Sequence, residues 1–202
     1  MPPPARPADS DLQVVKQRLL SCGIGDRFAL LTLSDFGPLG ERWLKQLSPS
    51  NMAVAKPILR QGFVMYVNGK GAREFAHTLA GGIAVVFSAQ VECLHLSVLS
   101  DALDNREVER IAELQASSLL VVSEFLNTSS NPLSARSAFR VEAFLLERIE
   151  THGKSLILLG DGIVSQTKWW TPRLVTRIQD TFIQETVANY AYPSSAQVFK
   201  SK

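Results

Sequence analysis

Residues 63–80, FVMYVNGKGAREFAHTLA, pass from an apolar strand pattern through a glycine turn into an amphipathic helix pattern. That is the frame of a phosphate-binding loop. In such a loop backbone amides cradle the phosphates, a Lys reaches the β- and γ-phosphates, and the next residue, Ser or Thr, holds Mg²⁺. Laid on this stretch, the frame puts Tyr66 on its first glycine, Gly69 and Gly71 on the last two, Ala72 on the Lys and Arg73 on the Ser/Thr. The frame is present, and the two residues that do its chemistry are not. An anion held here would rest on Lys70, Arg73 and the helix N-terminus. Asn68-Gly69 has a second reading as a β-hairpin turn. A hairpin needs a following strand, however, and AREFAHTLA carries a helical pattern.

Lys168-Trp169-Trp170, with Arg173 just beyond, is the other group with binding chemistry. Adjacent tryptophans before a helix can stack on unpaired bases, with Lys168 and Arg173 on phosphates. They can equally anchor a protein partner, because Trp and Arg are favoured interface residues. In the third reading a tryptophan plugs the core beneath the last helix. His77, His95 and His152 are scattered and form no metal or triad pattern, and Ser123 lacks a nucleophile-elbow context.

These groups need a scaffold, and 202 residues suffice for one well-buried domain. Hydrophobic content of 46% and charged content of 20% describe a globular protein. A net charge of +2 exerts no strong global pull on nucleic acid or membrane, so such contacts need a local patch. Cys22 and Cys93 lack metal-ligand spacing and read as buried thiols in a reducing compartment. No apolar run approaches ~18 residues, so no membrane span is expected. The expected address is the cytoplasm. Residues 1–8 read as a flexible N-terminal tail, 9–190 as one domain and 191–202 as a C-terminal tail.

Along the chain, 9–21 reads as a helix with Leu12, Val15 and Leu19 on one face. Residues 22–47 read as loop-rich. Strands are expected at 63–67, at 83–88 (IAVVFS, after Gly81-Gly82), at 118–126 and at 155–160. Helices are expected at 72–80, at 104–116 with an Asp104/Glu107 capping box, and at 135–151. The helix at 135–151 carries a stripe that includes Phe139, while Arg136, Arg140, Arg148 and Glu142 make a solvated face. A last helix from Thr171-Pro172 carries residues up to Val187. Residues 89–103 fit helix and strand equally. Continuously apolar strands alternating with helices predict an α/β fold, a three-layer parallel sheet with helices on both faces.

The order of these pieces carries a resemblance. CGIGDRFALLTLSDF (22–36) is similar to the motif that precedes the nucleotide-binding core in the DnaC/IstB helicase-loader branch of the AAA+ ATPases. The resemblance runs from about residue 22 to 180. It implies a P-loop NTPase core in which LLVVSEFL takes the Walker B place, with Ser123 on the Mg²⁺-binding Asp and Glu124 on the catalytic Glu. SLILLGDG takes the sensor strand, with Gly160 and Asp161 at its end. In PRLVTRI, Arg177 matches a trans-acting arginine better than Arg173 does. The bland readings stand beside these: Glu124 as a loop or capping carboxylate, Arg177 as a solvated or salt-bridged helix arginine.

The departures all fall on chemistry. Phosphoryl transfer relies on positioning and electrostatics, and the Lys, the Ser/Thr and the Walker B Asp are replaced together. The expectation is a degenerate, non-catalytic AAA+-like adaptor in DNA replication or transposition, with no cofactor. It docks on an ATPase- or helicase-type protein assembly, with single-stranded DNA as a further ligand. Residues 1–21 leave no room for the extra N-terminal domain of DnaC-type loaders, which favours a regulator of such an assembly over a loader. The alternatives are an active ATPase in which Lys70 replaces the missing lysine, using ATP and Mg²⁺, and a small structural subunit unrelated to nucleic acid.

Overall fold

Alternate side chains of the central strands enter two different cores. Met65 and Val67 point into one, Tyr66 into the other, and Ile157 and Leu158 divide in the same way. The strands belong to a five-stranded parallel sheet in the order β2-β3-β4-β1-β5. They are β1 (Val64–Asn68), β2 (Val91–His95), β3 (Leu119–Leu126), β4 (Ser155–Gly160) and β5 (Ile183–Thr186). This computed structural model describes residues 9–25, 28, 31–47, 62–126, 133–162, 164 and 170–187, without the side chains of 9–12. The proposed tails at 1–8 and 191–202 lie outside the described residues.

Helices cover both faces. On one lie α1 (Asp9–Ser21), α2 (Gly37–Leu47) and α3 (Ala72–Val86). On the other lie α4 (Leu96–Asp104), α5 (Val108–Ala116), α6 (Ala135–Glu150) and α7 (Pro172–Thr181). A sheet covered on both faces has no polar side, and this explains the apolar run Leu119–Val122 that opens β3. The three-layer α/β architecture read from the sequence is therefore the observed one.

Several local expectations need correction. IAVVFS is not a strand. Helix α3 runs on to Val86, and Phe75, Ala76, Leu79, Ala80, Ile83 and Ala84 form one buried helical face. Gly81-Gly82 does not end the helix but thins it. A side-chain carbon at 81 would stand 2.9 Å from Leu19, and one at 82 would stand 3.2 Å from Leu47, so α1 and α2 pack close. The second strand instead comes from the ambiguous 89–103 segment, which divides into β2 and α4.

The capping box at Asp104 does not form. Asp104 ends α4, and its carboxylate accepts from the Ser137 hydroxyl at 2.6 Å and from Arg140 at 2.7 Å. The part of the 22–47 segment from Leu33 on is helical and not loop: a 3₁₀ turn at Leu33–Phe36 leads into α2, whose Trp43 and Leu47 are buried four residues apart. The last helix stops at Thr181, and Ile183–Thr186 adds a fifth strand beside β1, so Val187 is not helical.

On α6 the pattern reading errs both ways. Phe139 is 67% exposed, whereas Glu142 is buried and Arg148 is fully so. Arg148 donates to the carbonyls of Leu114, Gln115, Ser117 and Ser155, tying the end of α5 to the start of β4. Burial lowers its pKa to about 10.

Candidate functional site

Strand direction decides where the candidate residues meet. All five strands are parallel, so the residues after β1, those at the end of β3 and those after β4 gather at one edge of the sheet. There Gly69, Lys70, Ala72, Arg73, Ser123, Glu124, Leu159, Gly160 and Asp161 line a cleft of about 260 Å³. The order of motifs in the sequence thus becomes a single place in space. The loop reading is settled as strand–loop–helix, because both neighbours of β1 are parallel to it.

Within the cleft each residue has a particular setting. Tyr66, aligned with the first loop glycine, is still inside β1. Its hydroxyl donates to the Gly162 carbonyl at 2.5 Å, and burial followed by the charge of Asp161 pushes its pKa up. Only residues 69–71 separate β1 from α3. Gly69 has φ +98, and a side-chain carbon there would lie 2.4 Å from the Val187 carbonyl oxygen. The need for glycine at 69 is met by the approach of the chain after β5, whose Val187 amide donates to Asn68 at 2.8 Å. The Gly69 carbonyl in turn accepts from the Ala72 amide at 3.1 Å.

Lys70 and Arg73 are exposed, and the Arg73 guanidinium carbon sits 6.0 Å from the centre of the Phe28 ring. Ser123 is buried, and its hydroxyl donates to the Leu94 carbonyl at 3.3 Å. Glu124 is exposed and has φ +60. Gly160, at the sensor position, has no room for a side chain: a carbon there would meet the Tyr66 hydroxyl at 2.5 Å and Leu126 at 2.6 Å. Two cations therefore share the cleft with two carboxylates, Glu124 and Asp161.

Other candidates lie elsewhere. Arg173 pairs with Glu150 at 2.8 Å, and Arg177 stands 3.9 Å from the other oxygen of that carboxylate. Glu150 ends α6 just before β4 begins, at the sheet edge opposite the cleft. Trp170 is core and not a stacking surface. It is 8% exposed, its ring stacks on Phe125 at 4.4 Å, and its indole N–H donates to the Phe125 carbonyl at 3.2 Å. Lys168 and Trp169 lie outside the described residues.

His77 packs on Phe28 with ring centres 4.6 Å apart, His95 caps α4 by accepting from the Ser97 amide, and His152 stands 3.7 Å from Glu147. Among the described residues no three acidic, His or Cys side chains gather as metal ligands, and no helix is long and apolar enough to cross a membrane. Cys22 and Cys93 are both buried free thiols, with burial pushing each pKa up.

Two features of the site left no signal in the sequence pattern. The backbone of Val187 covers Gly69, and the carbonyl of Phe125, beside Glu124, is held by an indole.

This fold, with a parallel sheet, a loop after β1 and a cleft at the strand ends, is shared with solved structures of DnaA and of the DnaC helicase loader. Solved structures with the same fold include DnaA from Aquifex aeolicus bound to AMPPCP (TM-score 0.53, 14% identity, 72% of this chain and 44% of that one). A DnaA bound to AMPPCP and single-stranded DNA matches with TM-score 0.56 and 15% identity over 76% of this chain and 49% of that one. The DnaC helicase loader matches with TM-score 0.62 and 14% identity over 81% of this chain and 99% of that one. The chain thus spans under half the length of these DnaA chains. No protein-family model matches it, and no curated protein matches it significantly.

Proposed function

We propose that this chain is an AAA+-fold component of DNA replication that docks on a partner protein assembly and does not turn over ATP. The observation that carries this is the start of α3: Ala72 stands at the lysine position, behind a three-residue loop covered by the Val187 backbone. The rest of the cleft agrees. Mg²⁺ would need a carboxylate where Ser123 has a hydroxyl already given to Leu94, and a hydroxyl where Arg73 lies against Phe28. These residues do not fit Mg-ATP. The volume, about 260 Å³, falls below the roughly 300–1,000 Å³ of ordinary small-molecule pockets. The mixed charges of the lining also offset one another before any triphosphate arrives.

The setting in replication rests on the fold shared with DnaA and the DnaC helicase loader. A protein partner of initiator or helicase type follows from that setting, and single-stranded DNA is the secondary ligand, with Lys168 and Trp169 as its proposed contacts. Cytoplasmic location is part of the same reading.

Thermal denaturation with and without Mg-ATP tests whether the cleft takes nucleotide. A functional site stabilises by about 2.7 kcal/mol at a hundredfold excess over its dissociation constant, and the proposal expects no shift. Affinity capture from native lysate tests the setting. A replicative helicase or initiator among the co-purifying chains supports it, and an unrelated metabolic enzyme alone contradicts it.

A further inference from the structure

Three non-glycine residues have positive φ among the described residues, Ser88, Arg106 and Glu124. Two of these lie in turns between elements; Glu124 lies inside a strand. A left-handed non-glycine residue is strained and persists only where its surroundings impose it. The cause is visible around β3. Val122 faces Leu158 and Leu126 faces Gly160, so four steps along β3 match two along β4 and the strand bulges across Ser123–Phe125.

Contacts on both sides hold the bulge. On one side, Gly160 leaves the space that Leu126 occupies, and the Asp161 amide donates to the Leu126 carbonyl at 3.0 Å. On the other, the Phe125 carbonyl, which a regular strand gives to a neighbouring strand, accepts from the Trp170 indole at 3.2 Å while the two rings stack. Trp170 is itself anchored, because the next residue, Thr171, gives its amide (3.1 Å) and its hydroxyl to the buried Glu142 carboxylate.

We propose that Trp170 is the positioning residue for Glu124: by taking the Phe125 carbonyl, its indole holds residue 124 left-handed and directs the carboxylate into the cleft. This holds whether or not the cleft turns over nucleotide. It makes the segment before α7 and the cleft two ends of one coupled unit, so that displacing Trp170 withdraws Glu124. The coupling is reciprocal.

A double-mutant cycle with carbon chemical shifts tests it. Glu124→Gly removes the side-chain cost of the left-handed backbone and is expected to raise the thermal midpoint by about 2–4 °C. In a Trp170→Phe background, which keeps the stacking and removes the donor, that gain is lost. The Glu124 ¹³Cα and ¹³Cβ shifts also move from left-handed to extended values in Trp170→Phe, a change that mere loss of packing elsewhere does not produce. Equal effects of Glu124→Gly in both backgrounds, or unmoved carbon shifts, overturn the proposal. Should Trp170→Phe fail to fold, Glu124→Gly alone carries the test: the Trp170 indole N–H resonance shifts if the two are coupled, and an unmoved resonance overturns the coupling.

Discussion

The carbonyl oxygen of Val187 stands 2.4 Å from where a side-chain carbon on Gly69 would be, because the Val187 amide bonds to Asn68 and draws the chain after β5 over the loop. The glycine that looks like part of a phosphate cradle is thus required by the protein's own backbone. At φ +98 it also occupies a conformation that other residues rarely adopt.

Gly69→Ala therefore meets both a strained backbone and a collision that no side-chain rotation relieves. We expect a loss of about 1–3 kcal/mol in urea denaturation, with β5 loosened first. Hydrogen exchange at Val187 should accelerate before exchange at β3 does. Wild-type stability in this variant would mean that the Val187 approach is not rigid.

Rebuilding the missing side chains should not rebuild the activity. The triple variant Ala72→Lys, Arg73→Thr, Ser123→Asp restores each residue type, but on a loop of three residues beneath Val187. Backbone amides, not side chains alone, position the phosphates. Magnesium-dependent turnover in this variant would show that the loop was adequate and only the side chains were lacking.

Much of this was legible in the sequence, because β1, β3 and β4 each carry a run of at least four apolar residues and a parallel sheet buried on both faces demands that pattern. The cleft was legible for the same reason: motif order along a doubly covered parallel sheet fixes which loops share an edge. Periodicity failed where two structures share one apolar spacing. IAVVFS fits a buried strand as well as the last turn of α3, and only the packing of Leu19 and Leu47 against Gly81-Gly82 decides it. A core tryptophan before the last helix was among the readings, but Trp170's partner Phe125, like those of Arg148 and Val187, was beyond reach, because these partners lie 45, 31 and 119 positions away in sequence respectively and local pattern carries no such information.

Arg148 gives the sharpest stability prediction. It is fully buried, pairs with no carboxylate among the described residues, and satisfies backbone carbonyls of Leu114, Gln115, Ser117 and Ser155. Arg148→Met fills much of the volume but takes the guanidinium donor from the Gln115, Ser117 and Ser155 carbonyls, at about 1–3 kcal/mol each, while the Leu114 carbonyl keeps the Ser117 hydroxyl. Unfolding in urea should show a loss of roughly 3–5 kcal/mol, the low end of that sum because burial of the guanidinium itself is also relieved, whereas Arg136→Met on the same helix should change little.

Acid stability depends in part on Asp104. The Ser137 hydroxyl, and then the Arg140 guanidinium, hold its carboxyl below the usual carboxylate range. A folded-state pKa that is depressed contributes stability above the unfolded value of about 3.9 and loses it as pH falls through the lower folded value. Asp104→Asn should therefore lower the melting temperature at neutral pH and flatten its decline below about pH 4. Parallel curves for the two proteins across that range would remove Asp104 from the acid transition.

Phosphate release from purified protein with ATP, in the presence and absence of magnesium, tests the central claim most directly. The account predicts no magnesium-dependent release above the buffer rate, and no change on Lys70→Ala. Robust magnesium-dependent release that Lys70→Ala abolishes would contradict it, and would make Lys70 the working lysine of an active ATPase.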